Sequence, residues 1–88
     1  MSLIYCSINA FDKNSNVYMR NGENEIISLG EVDNSELADQ LLAFCNQRKV
    51  YNVHLFGSDD FLNGIAEMMI EQNITNYGKT NELKIEVN

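Results

Sequence analysis

The chain has 88 residues, 13 acidic against 6 basic, and a net charge of −7. That length supports one small core, and a hydrophobic content of 44% belongs to a globular chain rather than a disordered one. The basic residues Lys13, Arg20, Arg48, Lys49, Lys79 and Lys84 are scattered. This argues against nucleic acid as a partner, because neutralising phosphates takes a basic stripe. No apolar run reaches the roughly 20 residues of a membrane span, and no basic-then-apolar leader opens the chain. A cytoplasmic protein with no membrane partner is the expectation. Cys6 and Cys45 fall at apolar positions with no partnering histidine, so buried thiols are expected rather than a zinc site or disulfide framework. The many asparagines fit turns, and also an AT-rich genome such as those of some bacteria and their phages.

Leu3 to Ala10 alternates, with apolar residues on both faces, and reads as a central strand. Asn16 to Arg20 and Glu25 to Leu29 read as two further strands. Asn21-Gly22 between them predicts a type I′ hairpin turn, since both residues accept positive φ. Asp33-Asn34-Ser35-Glu36 has the form of a capping box. Leu37, Leu41, Phe44 and Cys45 then follow at helical spacing, and Arg48 and Lys49 suit the negative end of that helix's dipole. Val50 to Phe56 is a fourth strand. Gly57 turns the chain, Ser58 or Asp59 caps a second helix, and Leu62, Ile65, Ala66, Met69, Ile70 and Ile74 are expected on its buried face. Met68, Met69 and Ile70 are expected to fill core gaps. Gly64 inside the helix costs about 1 kcal/mol against alanine, which predicts close packing at that point. Asn76 to Lys79 reads as a loop, and Leu83, Ile85 and Val87 as one face of a fifth, edge strand.

The order β-β-β-α-β-α-β, with right-handed crossovers, predicts a single α/β domain over residues 1–88. It has one mixed five-stranded sheet in the order 3-2-1-4-5, covered by two helices.

This succession resembles the ribonuclease H-like fold in a minimal form. The resemblance spans the chain as topology rather than motif. It implies two magnesium ions held on carboxylates from the first strand, the first helix and the end of the fourth strand, because in-line phosphoryl displacement needs cations on the attacking and leaving oxygens. Carried onto this sequence, Asn9 of Ile8-Asn9-Ala10-Phe11 stands where the family's aspartate would be, and an amide is a poorer magnesium ligand. Asp12 follows three residues later, Glu36 or Asp39 stands in the first helix, and Asp59 and Asp60 stand after the fourth strand. As an enzyme the chain would use Asp12, Glu36, Asp59 and Asp60, with Asp12, Asp59 and Asp60 on the metal. Gly57 to Ile65 is also similar to strand-to-helix turns of actin-like ATPases.

Asp59 and Asp60 have a plainer role, since carboxylates in a first helical turn favour the helix dipole by about 0.3–1 kcal/mol each. They also place fixed negative charge where a phosphate would bind. His54, the only histidine, reads as a hydrogen-bonded strand residue, with no Ser-His-Asp or Cys-His arrangement around it. With the first-strand carboxylate replaced, the reading is a non-catalytic accessory or interaction protein, of phage or mobile-element type, without a cofactor. It binds a protein partner or itself through an edge strand, at Ile26 to Leu29 or Leu83 to Val87, with Tyr77 as a further contact. The alternatives are a magnesium-dependent nuclease or phosphoryl-transfer enzyme and an acidic mimic of nucleic acid.

Overall fold

In the computed structural model, which describes residues 1–78 and 82–88 and Asp59 by its backbone alone, five strands form one mixed sheet. The strands are β1 (Leu3–Ile8), β2 (Asn14–Arg20), β3 (Ile26–Asp33), β4 (Asn52–Gly57) and β5 (Lys84–Val87), in the order β3-β2-β1-β4-β5. β1 runs antiparallel to β2 and parallel to β4, and β5 continues the parallel half. A 3-10 turn over Asn34–Glu36 leads into α1 (Leu37–Arg48), and α2 (Asp59–Tyr77) connects β4 to β5. This is the expected α/β architecture and strand order.

Both helices lie on one side of the sheet. One parity of each strand points to them: Ile4, Cys6 and Ile8 from β1, Val17 and Met19 from β2, Val53 and Leu55 from β4. These join Leu37, Leu41, Leu42 and Cys45 of α1 and Leu62, Ile65 and Met69 of α2 in one buried cluster. The domain measures 31 × 31 × 20 Å, so it is a plate of two layers. A sheet with helices on one face leaves the other side chains of the same strands without a layer over them.

Local chemistry sets the turns, and in several places differently from expectation. The β2–β3 connection is a five-residue loop closed by Asn21, not a two-residue type I′ turn. The Asn21 N–H donates to the Glu25 carbonyl, and its side-chain oxygen accepts from the N–H groups of Glu23 and Glu25 at 2.9 and 3.0 Å. Positive φ falls on Asn24 (63°). β3 continues past Leu29 through a bulge opposite Val17 and Tyr18, where Gly30 takes φ 104°. Such a kink ends straight pairing along an edge.

Helix α2 also departs from expectation. Met68, Ile70 and Ile74 are about half exposed, and Asn73 takes the buried position after Leu62, Ile65 and Met69. The true inner stripe follows i, i+3, i+7, i+11, so a periodicity of apolar residues alone placed the seam one residue off. A methyl group at Gly64 would have nothing within 4 Å, so close packing does not explain that glycine. Tyr77 is the last helical residue rather than part of a loop, and Gly78 follows in the left-handed conformation (φ 66°) that commonly ends helices. Lys79, expected in that loop, lies outside the described residues.

Candidate functional site

The expected catalytic end of the sheet is built as a closed turn. β1 stops at Ile8, and the Asn9 side-chain oxygen accepts from the Phe11 N–H at 3.0 Å. The Asp12 N–H donates to the Asn9 carbonyl. Asn34, arriving from the 3-10 turn, donates its amide to the carbonyls of Asp12 (2.8 Å) and Asn9 (3.3 Å), and the Ser15 hydroxyl donates to its side-chain oxygen. Asp33 accepts from the N–H and hydroxyl of Ser35 at 2.9 and 2.8 Å. The backbone bond first, then the hydroxyl, holds its carboxyl below the usual aspartate value. So Asn9, Asn34 and Asp33 bond to the protein's own turns.

The topology does bring Asp12, Glu36 and the start of α2 to this same end, since Ile8 pairs with Gly57 and Asn14 with Asp33. Asp12, Glu36 and Asp60 are exposed, and the side chain of Asp59 lies outside the described residues. Among the described residues, no three His, Cys, Asp or Glu side chains are grouped to hold a metal ion. Ser58 starts α2 without a side-chain cap bond. Gly57 has a separate necessity: at φ 148° its missing Cβ would overlap the Ile8 carbonyl oxygen, so β1 and β4 approach closely only because no side chain is there.

Both thiols are free and buried. Burial pushes Cys6 up to about 11 and Cys45 up to about 12, so neither is a thiolate near neutrality. Cys6 points to the helices, while His54 on the adjacent strand points to the opposite face. A Cys-His pair cannot form across the sheet.

That opposite face holds the surface that sequence reasoning missed. Register aligns Ser28, Tyr18, Tyr5, His54 and Glu86 in one row across all five strands. The rings of Tyr5 and Tyr18 stack with centroids 5.5 Å apart, and those of His54 and Phe56 with centroids 4.2 Å apart. Offset ring pairs of this kind add about 0.5–1.5 kcal/mol beyond the area they bury. The Asn88 amide meets His54 Nε2, and a Glu86 carboxylate oxygen lies 3.6 Å from the same nitrogen. Leu3, Tyr5, Arg20, Ile26, His54 and Phe56 line a shallow depression of about 410 Å³. A second, of about 300 Å³, continues it past Asn52 toward Lys84 and Glu86. The signal lay in the sequence of β1, where Leu3 and Tyr5 make the second face nearly as apolar as the first.

The expected edge contacts divide. Ile26 is 64% exposed and borders the depression, and Tyr77 is exposed at the far end of α2. Leu29, Leu83 and Val87 are half-buried and pack against the core. β5 is only four residues long, and β3 is bulged at Gly30, so both edges are of the kind that resists strand addition. No helix among the described residues is long and apolar enough to cross a membrane. Compared with protein-family models and with curated protein sequences, the chain matches none.

Proposed function

We propose that this domain is a non-catalytic interaction module whose working surface is the helix-free face of its sheet. The observation that carries the reading is the row Tyr18, Tyr5, His54 with Phe56 beside it, on strands where no helix covers them. Aromatic side chains with a polar tip bind through large, rigid area at low entropic cost and are enriched in protein contacts. All-parallel sheets occur almost only with both faces covered, and the parallel β1-β4-β5 half of this mixed sheet has helices over one face only. A partner that supplies the second cover accounts for both facts. The edges at β3 and β5 then border the contact rather than make it.

The strand order supports reading the chain as a ribonuclease H-like fold. The turn after β1 supports the non-catalytic half of the proposal, since an amide engaged with Phe11 N–H stands where that fold's nucleases place a carboxylate. A photoreactive residue in place of Phe56, compared with one in place of Glu67 on the helical side, tests the surface in cells that make the protein. Adducts from position 56, with the chain itself or another protein, support the reading, and adducts confined to position 67 contradict it. Cleavage of nucleic acid in magnesium or manganese that is abolished by Asp60→Asn would instead establish the nuclease alternative.

A further inference from the structure

We infer that the occupant of the helix-free face is a second copy of this chain, so that two sheets stack face to face across a two-fold axis. The inference deepens the interaction reading above and rests on it. Three observations carry it.

The first is charge. The whole chain carries −7, so two copies repel wherever their carboxylates meet. On the strand positions of the open face, two cations, Arg20 and Lys84, stand against three carboxylates, Glu31, Asp33 and Glu86, and Asp33 at the end of β3 is bonded to Ser35. Most of the surplus therefore lies on the helices, loops and turns, where Asp12, Glu23, Glu25, Asp39, Glu67 and Glu71 are all exposed. A basic partner would be drawn to those parts. The aromatic centre of the face, with a net charge of only −1 on the strand positions around it, suits a surface as nearly neutral as itself, and a second copy presents one.

The second is symmetry. A two-fold contact needs a patch that is complementary to itself. The strand order β3-β2-β1-β4-β5 centres the sheet on β1. An axis parallel to β1 and midway between stacked sheets lays β2 of one copy over β4 of the other at the same level. Tyr18 then faces His54, and Tyr5 faces Tyr5, because all three share one row. The row is aromatic in both directions from the centre, as this arrangement requires.

The third is area. Five strands about 4.8 Å apart and about six residues long, at about 3.3 Å per residue, span roughly 24 by 20 Å. That footprint of about 500 Å² in projection approaches the roughly 800 Å² of accessible surface per partner in a standard interface, once relief is included. Stacked sheets in general pack about 10 Å apart with interdigitating side chains, the spacing that rings such as these fill.

Sedimentation equilibrium of the purified chain tests the inference over about 1 to 500 µM, the range in which modest interfaces assemble. The expected species has twice the 10.0 kDa mass of the chain. Phe56→Asp and Arg20→Glu place negative charge on the face and are each expected to weaken the dimer by about tenfold or more. Ile70→Asp, on the exposed side of α2, is expected to leave it unchanged. Thermal unfolding of each variant at low micromolar concentration separates lost association from lost folding. A monomer throughout that range overturns the inference. So does a dimer that is indifferent to both open-face substitutions. In the first case, a position-56 adduct with a different protein would leave the interaction surface standing and remove only the second copy. Adducts confined to position 67 would remove the surface itself.

Discussion

The two faces of this sheet come from the same five strands and the same alternation, yet they are different materials. The covered face is Ile4, Cys6, Ile8, Val17, Val53 and Leu55, small aliphatic and thiol side chains packed against α1 and α2. The open face is Tyr5, Tyr18, His54 and Phe56, rings with polar tips or neighbours, flanked by Arg20, Lys84, Glu31 and Glu86. Aliphatic side chains fill an interior at crystal-like density and have no polar group to satisfy. Aromatic groups with a hydroxyl or ring nitrogen tolerate water and still offer area to a partner. Side-chain type, more than average hydropathy, therefore distinguishes the face that folds the chain from the face that meets something else.

Neighbouring residues of β4 put the contrast to its hardest test. Leu55→Ala, on the covered face, is expected to lose about 3–5 kcal/mol of stability, because a fully buried leucine leaves a cavity. Gly57→Ala is expected to lose about 3 kcal/mol, from strain at φ 148° and overlap with the Ile8 carbonyl. Urea unfolding measures both, and near-neutral changes would break the account of the fold. Alkaline pH probes the covered face differently. The folded-state thiols titrate above their ordinary 9.0, at about 11 for Cys6 and about 12 for Cys45. Their contribution is whole below about pH 9 and is lost as pH rises from there to about 11 for Cys6 and about 12 for Cys45, at up to about 1.4 kcal/mol per pH unit for each thiol. Unfolding at pH 8 and pH 10.5 should show that fall, and Cys45→Ala should shrink it. An equal fall without the thiol contradicts the cause. Gly64→Ala is expected to raise stability by about 0.5–1 kcal/mol, since the site is open and the helix gains propensity. Phe56→Ala, assayed where the chain is dilute, is expected to cost only the stacked pair with His54, about 0.5–1.5 kcal/mol and well under the Leu55→Ala loss, while the contact is lost.

Much of this fold was legible in the sequence. Alternation in β1, β2 and β5, and the four-residue spacing from Leu37 to Leu41 to Cys45, are enough to order the elements and predict the sheet. What was not legible depended on side chains meeting across distance. Asn21 closes its loop with its own amide, so the Asn21-Gly22 signal named the hairpin but not its turn. On α2, Ile70 and Ile74 are as apolar as Met69, and only docking against α1 and β5 decides that Asn73 is inside and they are not. The candidate surface was hidden for a related reason. Two apolar parities in β1 look like a strand covered on both sides, and nothing local says that both helices settle on one. The alignment of Tyr18, Tyr5 and His54 exists only once register is fixed.

The central claim, that the helix-free face is covered when the protein works, is tested most directly by hydroxyl-radical footprinting of the intact chain across concentration. Phe56 and Tyr18 report on that face, and Phe11, 98% exposed on the turn after β1, reports on bulk solvent. Oxidation of Phe56 and Tyr18 should slow relative to Phe11 as the chain is concentrated. A ratio that stays constant from dilute to concentrated solution would contradict coverage of the face by a second copy.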